Sequence, residues 1–458
     1  MINEDVKLIE DTEKKFIKKF RANFDEINNI TPELYSKYGV KKGLRNSDGT
    51  GVLAGITNIS NVHGYLVNEG EKEPIEGRLT YRGYNIYDLI EGFHSENRFG
   101  FEEIAYLLMS GKLPNKKELE EFQSVIAAER NLPNNFTEDM IMKAPSKNLM
   151  NKLASATLNL YSYDPNPDDT SIENIMRQGI SLFSKMPIIM SHAYQAKRRY
   201  YDNTSMYLHL PDGSKTTAEN ILNLIRADET YSDDEAKLLD MCLVIHAEHG
   251  GGNNSAFTAR VTSSSGTDTY SAIAAAICSL KGHKHGGANH KVIEMYDNIR
   301  ENVKDCSNEK EVYDYLIKIL RKEANDKSGL IYGMGHAVYT LSDPRAVVLK
   351  RYAKKLAAKT GYDEHFALLD LIEKLTPVAY AEVKGYEKTM CSNVDMYSGL
   401  VYRMLNIPDE MYTPLFATAR IAGWMAHRIE EVATGGKIIR PAYKPIQKKI
   451  QYISMSER

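Results

Sequence analysis

The segment GHKHGGANHK, residues 282–291, places three histidines and three glycines within ten positions. Histidine can bind a transition metal, transfer a proton, or donate a hydrogen bond to a developing negative charge. Glycines can also bring backbone N–H groups close to a phosphate. These residue types leave three chemistries open: a metal centre, a phosphate-binding loop, and a site that works by proton transfer.

The spacing of the histidines argues against a metal centre. His246 and His249 would share a helix face, but no HExxH motif and no cysteine pair assists them. Lys284 would place a positive charge between His283 and His285, where two metal ligands would have to meet. We therefore expect no bound metal, and we interpret most of the histidines as hydrogen-bonded structural residues.

His285 stands just before a predicted helix. Gly286 and Gly287 allow a close turn, and residues 288–300 have the pattern of a helix. The positive N-terminal end of a helix disfavours protonation of a nearby imidazole. A neutral His285 could then donate a hydrogen bond to a developing oxyanion, which is the task of a carbonyl polariser in enolisation.

Two later segments also carry residues suited to chemistry. GLIYGMGHAV, at 329–338, contains His336 but lacks the third glycine and the βαβ context of a dinucleotide-binding motif. Arg345 follows in a DPR tripeptide, as a solvated arginine or as a two-pronged carboxylate ligand. Asp395 lies among apolar residues in CSNVDMYSGLVY. It could be a helix cap, or a base whose pKa rises with burial.

Helical patterns dominate the elements that must position these residues. Ser232 precedes Glu235, and Asn308 precedes Glu311, at the spacing of a capping box, while Asp343 precedes a proline at a predicted helix start. The clearest predicted helices cover 233–247, 269–281, 309–324, 344–360 and 410–433. The persuasive strand-like region is 51–67. Because strands and helices do not alternate, we predict an all-α fold.

The composition is typical of a globular protein. The chain has 458 residues, a formal net charge of −3 and 42% hydrophobic residues, which allows more than one domain. This charge balance does not indicate a nucleic-acid binder, and no apolar run reaches the about 20 residues of a membrane span. Four scattered cysteines and an N-terminus without a signal-peptide pattern predict a cytoplasmic protein with reduced thiols.

Taken in order, the motifs resemble those of the citrate synthase family. HAEHGGGNNSAF, GHKHGGAN, GMGHAV, DPR and NVDMYSG are followed by an arginine in FATARIAG and another in IIRP. GRLTYRGYNIYDL and FEEIAYLLMSGKLP are similar to the N-terminal half of the family. The resemblance covers most of the chain beyond about residue 50.

The resemblance implies a two-domain helical fold and an acyltransferase that converts an acyl group into an alkyl group on transfer. Acetyl-CoA and oxaloacetate would condense, and the thioester would then be hydrolysed to citrate and CoA, a step of the tricarboxylic acid cycle. A large, dimer-forming domain would comprise 1–285 and 396–458. A smaller mobile domain, 286–395, would close over the substrate. No cofactor, metal, nucleic acid or membrane partner is expected.

The resemblance also implies a role for each site residue. Asp395 would remove a methyl proton, His285 would hydrogen-bond the thioester oxygen, and His336 would polarise the ketone of oxaloacetate. The substrate carboxylates would meet His249, Arg345, Arg420 and Arg440, the last from the neighbouring subunit of a homodimer. The CoA adenine would contact Leu330, Ile331, Tyr332, Gly333, Met334 and Gly335.

Some positions differ from the family pattern, and three alternatives remain. Gly250 stands where many members have an acidic residue, Thr340 where many have a basic one, and Lys284 where an apolar residue is usual. The nearest alternative is 2-methylcitrate synthase, which uses propionyl-CoA, because one methylene changes binding by only ~1–3 kcal/mol. A metal-dependent hydrolase and a non-catalytic helical scaffold are the others.

Overall fold

The computed structural model describes residues 2–46, 49–68 and 71–458, with side chains from residue 11 onward. Helices make up most of it, so the prediction of an all-α fold is confirmed. In the first half of the chain the α-helices are α1 (Ile2–Ile27), α2 (Pro32–Lys37), α3 (Ile86–Ser95), α4 (Phe101–Ser110), α5 (Lys116–Glu129), α6 (Leu149–Leu160), α7 (Ile172–Tyr201) and α8 (Thr217–Ile225). In the second half they are α9 (Asp233–His246), α10 (Asn254–Ser263), α11 (Thr269–Leu280), α12 (Ala288–Asn302), α13 (Glu309–Leu320), α14 (Pro344–Thr360), α15 (Asp363–Lys384), α16 (Asp395–Met404) and α17 (Tyr412–Ala433).

The helix starts follow the capping chemistry of the sequence. Ser232 and Glu235 form the predicted capping box at α9, and Asn308 accepts hydrogen bonds from the first turn of α13. Asp343 caps α14 by accepting from the Arg345 N–H group. The helix predicted for 309–324 ends early, at Leu320, because Lys322 has a left-handed φ of 68°.

A small antiparallel sheet is added to the helices. It consists of β1 (Ser60–Asn68), β2 (Glu71–Tyr81) and β3 (Tyr84–Asn85), in that order. The predicted strand region 51–67 contains all of β1 except its last residue, but β1 begins only at Ser60. The sequence pattern predicts neither β2 nor β3.

The chain forms two compact units. One comprises Met1–Ala54 and Arg440–Arg458, and the other comprises Gly55–Ile439. In the first unit, α1 exposes apolar side chains such as Phe16, Phe20 and Phe24. The division into 1–285 with 396–458 and a mobile 286–395 domain stays a prediction.

Helix α17 is the centre of the larger unit. It packs against α4, α7, α9, α10 and α11, and residues from Tyr412 to Ile429 are mostly buried. Trp424, Arg420 and Arg428 are among the largest fully buried side chains. A charged guanidinium at this depth needs hydrogen-bond partners or a functional reason. Within the described residues, no helix is long and apolar enough to cross a bilayer.

The sheet packs closely against the segment that carries His336 and Arg345. A Cβ atom at Gly64 would lie 2.8 Å from the Val338 carbonyl oxygen, and one at Gly77 only 2.1 Å from the Ser342 carbonyl oxygen. The Gly77 N–H group also donates to Ser342 Oγ at 3.1 Å. Glycine is therefore required where the sheet supports this segment.

We predict that Gly77→Ala destabilises the protein and that Gly92→Ala does not. The new methyl group at Gly77 must displace backbone, which we expect to lower the free energy of unfolding by about 1–3 kcal/mol. Gly92 lies inside α3 with nothing within 4 Å of a Cβ, so alanine there should be neutral or stabilising. Denaturant unfolding of both variants measures the difference. Equal stability of the two would contradict the packing argument.

Candidate active site

His285 lies in the turn between α11 and α12. The backbone N–H group of His285 donates to the Gly282 carbonyl at 2.8 Å, and that of Gly286 donates to the Leu280 carbonyl at 2.9 Å. Burial, and then the charge of Arg420, lower the pKa of His285 to about 4. The expected neutral imidazole is therefore present, but burial rather than the helix end is its main cause.

The hydrogen bonds of His285 select one tautomer. Its Nε2 lies 3.3 Å from the Ser255 backbone nitrogen, which can only donate. The Ser255 hydroxyl is also 2.9 Å from Nε2, and it accepts from Trp424 Nε1 at 3.1 Å. Because Nε2 accepts, the proton of the neutral ring is on Nδ1. Nδ1–H is then the group that can donate to a ligand.

His336 has the opposite tautomer. The backbone N–H groups of Val338 and Tyr339 both donate to its Nδ1 at 3.1 Å. The neutral ring therefore carries its proton on Nε2. The Tyr339 ring stacks on the imidazole with centroids 4.6 Å apart, which fixes the plane of the ring.

His249 lies beside His336, in the loop between α9 and α10. The two ring centroids are 5.2 Å apart and nearly perpendicular. Burial, then Arg345, His336 and Arg420, hold the pKa of His249 well below its usual range. Its Nε2 atom is buried and has no hydrogen-bond partner among the described residues. A buried donor or acceptor left in this way is typical of a ligand site.

The backbone conformation explains why a glycine follows His249. Gly250 adopts a left-handed φ of 87°, and a Cβ there would lie 3.0 Å from Val62 Cγ2. An acidic side chain at this position would be strained. The departure from the family pattern therefore follows from the backbone path of this loop.

Arg345 is buried with its own counter-ion. Its Nη2 donates to Asp343 Oδ2 at 2.7 Å and its Nε to Oδ1 at 3.1 Å. Burial would lower the pKa of Arg345, but Asp343 more than offsets this and raises it. Of the two interpretations of Arg345, a solvated surface residue is wrong, since the side chain is 4% exposed.

Arg420 is buried without a direct ion pair among the described residues. Its Nε donates to the His246 carbonyl at 2.5 Å, and its guanidinium lies 4.7 Å from the centre of the Phe416 ring. Burial, partly offset by Glu248, lowers the pKa of Arg420 to about 10. The guanidinium therefore remains charged at neutral pH. Nη2 has no partner within the described chain.

Glu248 is a further buried acidic residue near the site. The sequence motifs did not identify it as a functional residue. Its Oε1 accepts from Ser60 Oγ at 2.8 Å, from the Gly250 N–H group at 2.5 Å, and from His427 at 3.0 Å. A Cβ at Gly423 would lie 2.3 Å from its Oε2, so only glycine leaves room for the carboxylate. The feature of the sequence that could have pointed to Glu248 is its place in HAEH, directly before His249.

The network continues from His427 to Arg260. Arg260 Nη2 lies 2.8 Å from His427 Nδ1 and pairs with Glu430, while Arg260 Nη1 pairs with Glu431. His427 thus links two charged groups, and the sequence interpretation of this histidine as structural agrees with these contacts. This network of hydrogen bonds and ion pairs connects β1, the His249 loop and α17.

Asp395 is the first residue of α16, and its backbone N–H group donates to Asn393 Oδ1 at 3.0 Å. Burial, opposed by Arg345, raises the pKa of Asp395 to about 6. The N-cap position of α16 is Val394, which makes no side-chain cap. Of the two sequence interpretations, the geometry favours a desolvated carboxyl over a helix cap.

Loop 330–335 is joined to the Asp395 segment. Gly335 donates to the Cys391 carbonyl at 2.7 Å, and Asn393 donates from its backbone to Gly333 and from Nδ2 to Gly335, both at 2.9 Å. Gly333 and Gly335 have φ angles of 81° and 86°, which glycine adopts without strain. Leu330 is 56% exposed at the start of the loop.

Other predicted residues lie apart from this cluster. His283, Lys284 and His290 are exposed. Arg440 is exposed in the terminal unit. Among the described residues, no group of three or more His, Cys, Asp or Glu side chains could hold a metal ion.

Comparisons with known proteins agree with the sequence motifs. The family model "Citrate synthase, C-terminal domain" matches residues 46–442. The citrate synthase of Synechocystis sp. is 35% identical over 423 residues, covering 91% of this chain and 94% of that protein. The Haloferax volcanii citrate synthase is 32% identical over 405 residues, covering 87% and 98%.

Solved structures give the same result. The citrate synthase of Thermotoga maritima has a TM-score of 0.70 and 30% identity, with 89% of this chain and 98% of that chain covered. A Thermoplasma acidophilum citrate synthase, solved as a ternary complex with carboxymethyl coenzyme A and oxaloacetate, has a TM-score of 0.73 and 25% identity, with 91% and 99% covered.

We predict that Asp343→Asn strongly destabilises the protein. The amide oxygen can still cap α14, but Arg345 becomes a buried charge without a counter-ion, which should cost about 3 kcal/mol or more of unfolding free energy. Asp234→Asn is the control, since Asp234 pairs with Lys359 on the surface and should change stability by about 1 kcal/mol or less. Chemical denaturation compares the two. A loss of similar size in both variants would contradict a buried ion pair.

Proposed function

This chain belongs to the citrate synthase family, and we propose that it condenses acetyl-CoA with oxaloacetate and hydrolyses the product to citrate and CoA. The observation that carries the proposal is a carboxyl with a raised pKa in the same buried site as neutral histidines and two arginines. These groups suit enolisation next to an anionic acceptor.

In the first step, Asp395 removes a methyl proton from the thioester. A carboxyl with a pKa of about 6 is a stronger base than an ordinary aspartate and is still ionised at neutral pH. His285 donates from Nδ1–H to the thioester oxygen as negative charge develops there. A neutral donor stabilises the enol without competing for the proton.

In the second step, the enol carbon attacks the ketone carbon of oxaloacetate. The ketone oxygen develops alkoxide charge, which a hydrogen bond from Nε2–H of the neutral His336 ring would stabilise. Oxaloacetate is a dianion, so Arg345 and Arg420 supply matching charges. The buried, unpartnered Nε2 of His249 and Nη2 of Arg420 are suitable contacts for its oxygens.

The third step, hydrolysis of the citryl thioester, requires that water enter only after condensation. A small domain of residues 286–395 that closes over oxaloacetate would exclude water earlier. It carries His336, Arg345 and loop 330–335, whose backbone and exposed Leu330 would meet the adenine of CoA. The chemistry uses no metal or cofactor besides the two substrates.

The assembly that we propose is a homodimer in the cytoplasm. Arg440 would reach the neighbouring subunit's site and add a third guanidinium for the substrate carboxylates. Its exposure on this chain is compatible with such a role. The product citrate would enter the tricarboxylic acid cycle.

We predict thiol release that depends on both oxaloacetate and an acyl-CoA, and its loss in Asp395→Asn. Removal of the base should lower kcat about 10²- to 10⁴-fold, because the amide cannot accept the methyl proton. Asp363→Asn is the matched control: Asp363 is the first residue of α15 but is exposed, so its activity should be unchanged. A thiol-reactive dye follows the reaction.

The same assay with propionyl-CoA tests the acyl group. We expect a higher kcat/KM with acetyl-CoA. A higher value with propionyl-CoA would indicate 2-methylcitrate synthesis. Absence of thiol release with either acyl-CoA, or full activity of Asp395→Asn, would contradict the proposed reaction.

A further inference from the structure

Glu373, on α15, lies at the centre of a set of contacts that the proposed mechanism does not use. Its Oε1 accepts a hydrogen bond from Ser392 Oγ at 2.5 Å, and its Oε2 accepts one from the Tyr397 hydroxyl at 2.5 Å. Ser392 lies three residues before Asp395 and Tyr397 two residues after it. One carboxylate therefore contacts the Asp395 segment on both sides.

Burial and packing fix the two hydroxyl donors at the positions where they bind the Glu373 carboxylate. Ser392 and Tyr397 are 5% and 0% exposed, and the Tyr397 ring packs 5.8 Å from that of Phe366. Hydrogen bonds from hydroxyl groups to an ionised carboxylate are stronger than those to a neutral acceptor. Burial, and next the charge of Glu373, raise the pKa of Tyr397, so its hydroxyl remains a donor.

Lys350, on α14, forms an ion pair with this carboxylate. Its Nζ donates to Glu373 Oε2 at 2.7 Å and also pairs with Asp370. The Glu373 side chain is 24% exposed, so it is neither fully solvated nor isolated. Helices α14, α15 and α16 thus meet at a single glutamate.

The other side of the same segment is fixed by backbone contacts. Asn393 bonds to Gly333 and Gly335, and the Asp395 N–H group bonds to Asn393. These bonds set the segment against loop 330–335. Besides the packing of Tyr397 on Phe366, the Glu373 hydrogen bonds attach it to α15.

We propose that Glu373 is a positioning residue for Asp395: it accepts hydrogen bonds from Ser392 and Tyr397 and so fixes the segment that presents the base. The proposal rests on the role of Asp395 in the proposed function. A base must lie within hydrogen-bond reach of the proton that it removes, and a displacement of about 1 Å can cost about 100-fold in rate. Glu373 acts through the segment and does not itself touch substrate.

The simplest competing account is that Glu373 only stabilises the packing of α15 on α16. The two accounts differ in what is lost. Packing alone affects thermal stability, whereas positioning also lowers kcat in folded enzyme and leaves the oxaloacetate KM nearly unchanged. Arg345, Arg420 and His249 make none of the contacts that Glu373 makes.

The experiment measures kcat, both KM values and thermal unfolding for wild type, Glu373→Ala, Glu373→Gln and the double variant Ser392→Ala/Tyr397→Phe. A triple variant adds Glu373→Ala to the double variant. Glu382→Ala is the matched control, because Glu382 lies on the same helix, accepts from the Tyr313 hydroxyl at 2.7 Å and pairs with Arg321.

We expect Glu373→Ala to lower kcat about 10- to 100-fold at temperatures where it is folded, with the oxaloacetate KM within about twofold of wild type. Glu373→Gln should lose less, because its amide oxygen can still accept from one hydroxyl. The double variant should reproduce the loss, and the triple variant should add little, since all three changes remove the same contacts. Glu382→Ala should retain wild-type kcat.

A wild-type kcat in folded Glu373→Ala, or losses that simply add in the triple variant, would overturn the proposal. If Glu373→Ala does not fold, the double variant decides: lowered kcat supports positioning, and unchanged kcat refutes it. Failure of the proposed function itself is distinct, because wild type would then release no thiol with either acyl-CoA.

Discussion

The burial of charge is the constraint on which the site depends. Arg345 and Arg420 are buried and Asp395 is partly buried, so each must have a partner or shift its pKa. Arg345 has Asp343 as a direct counter-ion, and Glu248 partly offsets the cost of burying Arg420. Burial is opposed only in part by Arg345 at Asp395, so this carboxyl becomes a stronger base. The same burial keeps His285 and His249 neutral, so one physical cause yields both the base and the uncharged donors.

Contacts between distant elements of the fold hold these charged groups in place. Glycines at 77 and 423 let backbone or carboxylate approach where any Cβ would collide. The central helix α17 carries Arg420 and His427, and Glu248 connects that helix to β1 and to the His249 loop. Glu373 connects α15 to the segment around Asp395. Catalytic geometry here depends on contacts between distant parts of the chain, each made by a residue that would not touch substrate.

Much of the fold and the identity of the candidate residues could be predicted from the sequence. Local chemistry set the helix starts at Ser232, Asn308 and Asp343, because capping is decided within one turn. The supporting contacts could not be predicted, since Glu373 is 19 residues from Ser392 and 24 from Tyr397. The sequence also could not predict why His285 is neutral, because the causes are its burial and the charge of Arg420, which is distant in the chain. The domain division at 286–395 and the role of Arg440 remain predictions.

The pH dependence of kcat/KM for acetyl-CoA, at saturating oxaloacetate, tests the central claim most directly, because it includes the step in which Asp395 removes the proton. Asp395 must be ionised to accept a proton, so with a pKa of about 6 the rate should fall about tenfold per pH unit below pH 6. His285, with a pKa of about 4, stays mostly neutral in the first pH unit below pH 6. A rate that stays constant down to about pH 4, as for an exposed carboxyl, would contradict the account.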